Sequence, residues 1–440
     1  MIRQYTDWPI LARLHGLRDG WPLRCLIDQA SLWRPFHVTI RFDGIDTKNP
    51  RATPAHAHRR ALLPSSRDCV YGAGKEEIEA VRVVVAMSGG VDSSVTAGLL
   101  HEAGHEVIGV TLQLYDHGQA AGRKGACCAG QDIHDARDVA ARLGIPHYVI
   151  DAEARFKDAV IARFADAYAA GETPVPCIAC NQSVKFTDLL ALSQDLGAEA
   201  LATGHYVRRL DGPAGPELHQ AEDASRDQSW FLFATTAAQL AYCRFPLGGM
   251  PDKATVRAHA ARLGLATAEK PDSQDICFVP TGSYAGIVTA LRPDAGLAGD
   301  IVTGAGEVVG RHDGIAHYTV GQGKRLGSAA MHHGQQMAVL ALDASTRRVI
   351  VGPRTHGLRR FTLRDVNWLI AQPEGARTCQ VKLRAHEARR DATIMASANG
   401  TAVTLTADAL PAPGQACVFY DGSRVLGGGF IQAGASALAA

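Results

Sequence analysis

Val83-Val84-Val85-Ala86-Met87-Ser88-Gly89-Gly90-Val91-Asp92-Ser93-Ser94 is the stretch whose reading decides the fold. Residues 83–87 form a short unbroken apolar run, as a strand buried on both faces requires, and the run stops at a hydroxyl followed by two glycines. A helix through about residue 103 is expected next. Strand, glycine turn and helix start together leave free backbone N–H groups and the positive end of the helix dipole facing one point, where a pyrophosphate fits. Gly89 and Gly90 allow close backbone approach, Ser88, Ser93 and Ser94 add hydroxyl donors, and Asp92 offers a carboxylate to Mg2+. No Lys-Ser or Lys-Thr follows, which excludes a Walker A loop.

Outward from this loop the α/β alternation continues. Strands are expected at 106–114, 147–151 and 200–203, and helices at 132–143, 153–170, 181–196 and 255–263. One doubly wound, mostly parallel sheet over 79–290 accounts for all of them. After Pro293 the texture turns glycine-rich, with β-like stretches at 300–302, 307–309, 338–342, 379–385, 392–396 and 416–420. These predict a small β-rich central domain over 291–355 and a C-terminal β-barrel over 356–432, then a tail at 433–440. The first 78 residues differ, holding Trp8, Trp21 and Trp33 among scattered arginines without sustained periodicity. They are expected to be poorly ordered; Asp7, Asp19 and Asp28 break the acid-poor pattern of an organelle presequence, and a start codon assigned too far upstream is the preferred account.

A length of 440 residues implies two or three domains, and 45 basic against 44 acidic residues give no global sign of a nucleic-acid partner. Locally, 354–390 carries Arg354, Arg359, Arg360, Arg364, Arg377, Lys382, Arg384, Arg389 and Arg390 against three acids. That is a face able to follow a phosphate backbone, or equally a solvated rim. No apolar run reaches 18 residues and no signal peptide is visible, so a cytoplasmic protein with no membrane partner is expected. Its ten cysteines are then buried, metal-binding or reactive rather than cross-linked.

Two cysteine contexts stand out: Thr173-Pro174-Val175-Pro176-Cys177-Ile178-Ala179-Cys180-Asn181-Gln182-Ser183-Val184-Lys185-Phe186, and Asp272-Ser273-Gln274-Asp275-Ile276-Cys277-Phe278. Cys180 falls near an expected helix start, where the dipole favours thiolate. Cys127-Cys128 is read as a plain loop pair, with a sulfur relay as the alternative; Cys25, Cys69, Cys243, Cys379 and Cys417 are read as structural or incidental.

The loop string resembles the pyrophosphate loop of the N-type ATP pyrophosphatases. With the two cysteine contexts, Ala202-Thr203-Gly204-His205-Tyr206, Asp227-Gln228-Ser229, Gly321-Gln322 and Gly427-Gly428-Gly429, residues 80–432 resemble the bacterial tRNA 2-thiouridylase family (MnmA type). The resemblance implies ATP-dependent 2-thiolation of the wobble uridine of lysine, glutamate and glutamine tRNAs, with adenylation of the C2 oxygen turning it into a leaving group. It implies Cys180 as nucleophile and Cys277 as the persulfide carrier, joined transiently in a disulfide. Ala86, Met87, Ser88, Gly89, Gly90, Val91, Asp92, Ser93, Leu112 and Gly204 would enclose ATP with Mg2+. Val175, Pro176 and Cys177 would border the target base, and His205, Arg226, Asp227, Gln228, Arg384 and Gln415 would touch tRNA. The sulfur donor implied is a cysteine desulfurase or a relay protein.

At Cys177 the chain departs from the family pattern, since many members carry an acidic residue there, a natural proton acceptor during attack on ATP. The resulting Cys-x-x-Cys, with Cys277, is a donor set for a [4Fe-4S] cluster with one open iron, for zinc, or for redox work, zinc being the weakest for want of a partner histidine. Rival readings are an amidating or ligating pyrophosphatase and a non-catalytic nucleotide sensor. Lysidine-forming ligases share the Ser-Gly-Gly-x-Asp-Ser loop, and only the cysteines separate them from this chain.

Overall fold

In the computed structural model the residues described are 79–115, 128–272, 276–279, 284–397 and 400–433, together with the backbone of Leu23–Leu26 and Thr39–Phe42. The first nine strands are β1 (Leu23–Leu26), β2 (Thr39–Phe42), β3 (Arg82–Ala86), β4 (Glu106–Gln113), β5 (His147–Asp151), β6 (Ala200–Ala202), β7 (Val207–Gly212), β8 (Gly215–Gln220) and β9 (Cys243–Arg244). Seven of them form one sheet in the order β1-β2-β5-β4-β3-β6-β9. Every pairing from β2 to β9 is parallel; only β1 runs antiparallel to its neighbour. The chain steps outward from β3 to β4 and β5, then returns past β3 to β6 and β9. The crevice at the carboxyl ends of β3 and β6 is therefore a topological switch point, where ligands of open α/β sheets bind.

Both faces of this sheet are covered, which is why Val83, Val84 and Val85 are fully buried. On one side α1 (Val91–Glu102) and α2 (Cys128–Leu143) pack Val91, Val95, Leu99, Ala136 and Val139 against Val83, Val85 and Val107. On the other, Ile178, Phe186, Leu189, Trp230 and Phe233 cover Val84, Ile108 and Val110. Two further helices are continuous rods with a π-helical middle. The first, α3, runs as Glu153–Phe156, Lys157–Ala162 (π) and Arg163–Ala169; the second, α4, runs as Pro176–Cys180, Asn181–Leu189 (π) and Leu190–Asp195. Pro176 takes the first helical position of α4, where its missing N–H costs no bond.

Beyond the sheet, β10 (Gly299–Thr303), β11 (Val308–His312), β12 (Met331–His332), β13 (Gln335–Asp343) and β14 (Arg348–Pro353) form a small sheet in the order β11-β10-β14-β13-β12. Then β15 (Leu358–Trp368), β16 (Arg377–Lys382), β17 (Arg390–Ser397), β18 (Gly400–Ala409), β19 (Ala416–Asp421) and β20 (Arg424–Ile431) pair in that circuit as β15-β18-β17-β16-β19-β20, and β20 returns to β15, closing a six-stranded antiparallel barrel. The expected fold class is the observed one. The sequence reading missed the β7–β8 hairpin, which leaves the parallel sheet and joins the barrel edge with His219 opposite Arg424. Its strands are mostly polar, so they lack the apolar alternation that announces a strand, and only the Gly-Pro-Ala-Gly turn at 212–215 hinted at it. Of the first 78 residues only β1 and β2 are described, two strands where the sequence led us to expect little order; the rest of that expectation, Cys25 apart, and the tail beyond 433 lie outside the described residues.

Candidate active site

The loop after β3 is held by its own hydroxyls. Ser93 Oγ donates to Gly90 O (3.1 Å) and accepts from Ser88 N (3.1 Å), while Ser94 Oγ donates to Gly90 O (2.8 Å). Ser93 and Ser94 are buried and brace the loop from within, so Ser88 is the exposed hydroxyl of the three. Gly89 sits at φ +74°, and a Cβ there would run into the carbonyl of Asp132. Gly204, after β6, packs so closely on the loop that a Cβ would lie 2.9 Å from Ser93 N. No side chain caps α1, whose N-cap is Gly90, so its first-turn N–H groups stay available to an anion. Met87 and Leu112 stand at the ends of the adjoining strands, Met87 N bonding to Val110 O (2.8 Å). The residues expected around ATP thus meet at the switch point.

Two lysines that the sequence did not single out converge on this loop. Lys253 Nζ lies 2.8 Å from Asp92 Oδ1 and 2.8 Å from Asp272 Oδ1, and Asp92 also accepts from the Tyr206 hydroxyl (2.6 Å). Asp272 is shared further with Arg226 (2.7 Å). Burial works against ionising Asp272, but Lys253 and Arg226 outweigh it and hold its pKa below the usual carboxylate range. Lys270 donates to Gly89 O (3.0 Å) and pairs with Asp132 (2.7 Å) and Asp135. Nothing in the local sequence marks either lysine, since the carboxylates of Asp92, Asp132 and Asp135 that they hold stand 135 to 161 positions away along the chain.

The cysteines come together through packing. Cys180 shares a buried cluster with Phe278, and Phe278 is gripped edge-on by Phe156 (centroids 5.8 Å) and Phe164 (5.4 Å), which anchors Cys277 beside it. Cys177 and Cys277 are exposed, Cys180 is buried, and all three are free thiols. Cys180 is not at a helix start: it ends the first α-helical segment of α4, which runs on into the π-segment. The expected dipole activation is accordingly absent. Burial, opposed by Lys185, pushes the Cys180 thiol up, and burial reinforced by Cys180 and Cys177 pushes Cys277 to about 12. Cys177 is raised by the same desolvation, which marks a crevice mouth open to solvent yet poorly hydrated.

The residues expected to meet tRNA divide. Val175 caps α4 and leads into Pro176 and Cys177 at the thiols. His205 bonds Thr203 Oγ1 through Nδ1 (2.8 Å) and is held neutral, its pKa lowered to about 3 by burial and by Lys185. Asp227 and Gln228 are engaged inside the fold: Asp227 accepts from Gln220, Ala221 and Ser229, and Gln228 Oε1 accepts from Tyr206 N (2.9 Å). Arg384 donates to Val320 O (2.9 Å), and Gln415 Nε2 donates to Thr173 O (3.0 Å). Arg364 binds Glu172 (2.6 Å) and Thr173 N donates to Pro413 O (2.7 Å), so the barrel grips the segment leading to Cys177. Within the basic stretch, Arg359, Arg364, Arg377 and Arg390 each pair with a carboxylate. A cleft of about 580 Å3 near Lys324, Arg325 and Arg354 keeps a cationic lining. Cys127 lies outside the described residues, and Cys243 and Cys417 are buried, as structural cysteines are. No helix among the described residues is long and apolar enough to cross a membrane.

Three family models match the chain in succession: a tRNA methyl transferase HUP domain over residues 81–281, a tRNA methyl transferase PRC-barrel domain over 290–353 and an aminomethyltransferase beta-barrel domain over 358–431. Among curated proteins, the tRNA-specific 2-thiouridylase MnmA of Acidiphilium cryptum is 67% identical over 351 residues, covering 80% of this chain and 100% of that protein. The proteins of the same name from Gluconobacter oxydans (63%, 80% and 99%) and Rhodospirillum centenum (58%, 80% and 91%) align similarly.

Proposed function

Since the chain belongs to the tRNA-specific 2-thiouridylase (MnmA) family, and is a tRNA sulfurtransferase built on an ATP-using pyrophosphatase domain, we propose that it replaces the C2 oxygen of the wobble uridine with sulfur in lysine, glutamate and glutamine tRNAs. The observation that supports this most is that Cys180 and Phe278, 98 residues apart in sequence, share one buried cluster and so hold Cys277 within electrostatic reach of Cys180, in a molecule whose sheet carries an uncapped anion cradle. A nucleotide sensor or an amidating enzyme would have no use for that pair.

The uridine C2 oxygen attacks the α-phosphorus of ATP and pyrophosphate leaves. Gly89, Gly204 and the first turn of α1 hold the phosphates, and Lys270 and Lys253 balance their charge. Mg2+ would arrive on the phosphates, with Asp92 its protein ligand once the carboxylate exchanges Lys253 for the ion. The terminal sulfur of a Cys277 persulfide, loaded by a cysteine desulfurase or a relay protein, then attacks C2, and AMP departs with the oxygen. Attack of the Cys180 thiolate on Cys277 Sγ breaks the sulfur–sulfur bond to the tRNA. 2-Thiouridine leaves with the electron pair, and the Cys180–Cys277 disulfide that remains needs two electrons from a cellular thiol.

The test is nucleoside mass spectrometry on lysine tRNA incubated with anaerobically purified protein, magnesium ATP and a persulfide donor, with iron measured on the same sample. 2-Thiouridine without iron supports the persulfide route. Product only with bound iron supports a [4Fe-4S] cluster on the cysteines, and no product despite ATP binding rejects the sulfurtransferase reading.

A further inference from the structure

The middle of α4 is π-helical for nine residues, Asn181–Leu189, directly after the two cysteines. Such long π-segments are rare, and short ones concentrate at functional sites because they change which side chains share a face. An α-helix turns once per about 3.6 residues, and a π-helix once per about 4.4. Continued as an α-helix, the rod would place Lys185 about 140° around the axis from Cys180. Wound as a π-helix from residue 181, it brings Lys185 to within about 50° of Cys180 and nearly in line with Cys177, one α-turn plus one π-turn further along. Only the wider winding puts this ammonium on the cysteine face.

Lys185 is half-buried, and among the described residues no carboxylate pairs with it. A cation in that position leaves its counter-charge to be supplied by something else. Cys177, Cys180, Cys277 and the neutral His205 all feel its charge. Among these, only the sulfurs can become anions. Burial opposes thiolate formation at all three, reinforced at Cys180 by Cys177 and at Cys277 by both other thiols, and the Lys185 ammonium acts against it at each.

We propose that Lys185 is the charge-stabilising residue of sulfur transfer, its ammonium carried round by the π-helical turn to hold the anionic sulfurs of Cys180 and Cys277. This rests on the sulfurtransferase reading above and extends it to a group outside the cysteine motifs. As Cys180 loses its proton to solvent, Lys185 offsets the new negative charge. As the persulfide of Cys277 ionises, the same ammonium serves it.

The experiment is alkylation by iodoacetamide across pH 6 to 10, read at each cysteine by peptide mass spectrometry, on the full chain without tRNA or ATP. Lys185→Met is expected to slow alkylation of Cys180 and Cys277 at pH 8 by about tenfold, shifting their profiles upward by about one unit, and Lys185→Arg is expected to restore most of the rate. In parallel, 2-thiouridine formation falls about tenfold or more in Lys185→Met while first-turnover pyrophosphate release stays within about twofold, and melting temperature and ATP affinity serve as folding controls. Superimposable alkylation profiles in wild type and Lys185→Met would overturn the proposal, as would a shift that Lys185→Arg fails to reverse. If the wild type forms no 2-thiouridine the sulfurtransferase reading fails, and the alkylation arm still decides whether Lys185 governs the thiols.

Discussion

The phosphate loop and the thiol crevice lie in one domain but handle charge in opposite ways. Around the loop each ammonium already has a carboxylate: Lys253 holds Asp92 and Asp272, and Lys270 holds Asp132 and Asp135. Around the thiols no such ion pair is found among the described residues, and burial raises Cys177, Cys180 and Cys277 against the pull of Lys185, helped at Cys177 and Cys277 by a backbone hydrogen bond. A nucleotide enters as a polyanion, so a pre-paired network can trade partners with it at little cost in charge. The sulfur nucleophile must be generated on the spot, and a thiol kept neutral until its electrophile arrives is protected from oxidation.

The sharpest way to break this contrast is to empty each half in turn. Cys277→Ser or Cys180→Ser is expected to lower thiolation by about 1,000-fold or more while leaving tRNA-dependent pyrophosphate release in the first turnover near wild type. Asp92→Ala is expected to remove pyrophosphate release itself. Equal loss of pyrophosphate release in all three variants would show that the halves do not divide the labour.

The next largest effect is on pH dependence. Cys180 has its pKa raised by burial, so its thiolate fraction near neutrality is small and grows tenfold per unit until the folded pKa is passed. Single-turnover transfer from a preloaded Cys277 persulfide should therefore accelerate by about 100-fold between pH 7 and 9. A flat profile over that range would remove Cys180 as the attacking group.

Smaller effects sharpen the comparison by leaving one half untouched. Gly89→Ala strains a positive-φ position and drives a methyl into Asp132, which should cost about 1–3 kcal/mol and raise the KM for ATP, with thiol alkylation unchanged. Arg364→Ala breaks a half-exposed pair with Glu172 worth about 0.5–1 kcal/mol and loosens the segment ahead of Cys177. Thiolation should fall a few-fold and the KM for ATP stay fixed, steady-state kinetics separating the two.

How far the site was legible follows from how it is encoded. Residues 83–94 are contiguous, so strand, turn and helix start could be read directly, and β3 and α1 lie where that string puts them. The later strands at 377–382, 390–397 and 416–421 were visible in the same way, through runs of apolar and β-branched residues. The hairpin at 207–220 was not, because its polar strands are stabilised by the barrel edge and not by alternation of their own. Lys253 and Lys270 were missed because their meaning lies in carboxylates far along the chain. Cys180 was assigned the wrong electrostatics because helix α4 begins earlier than periodicity suggests, at Pro176, with the cysteine inside it.

By itself, then, the sequence determined the α/β order and the glycine-rich anion loop and singled out the contexts of Cys180 and Cys277, since each is written in adjacent residues whose backbone and chemistry act locally. Only the tertiary structure decided what those groups experience. Burial, the π-winding that turns Lys185 toward the cysteines and the ion pairs across the loop arise from contacts between distant segments, and a pKa responds to the charges and water around a group, not to its neighbours in sequence.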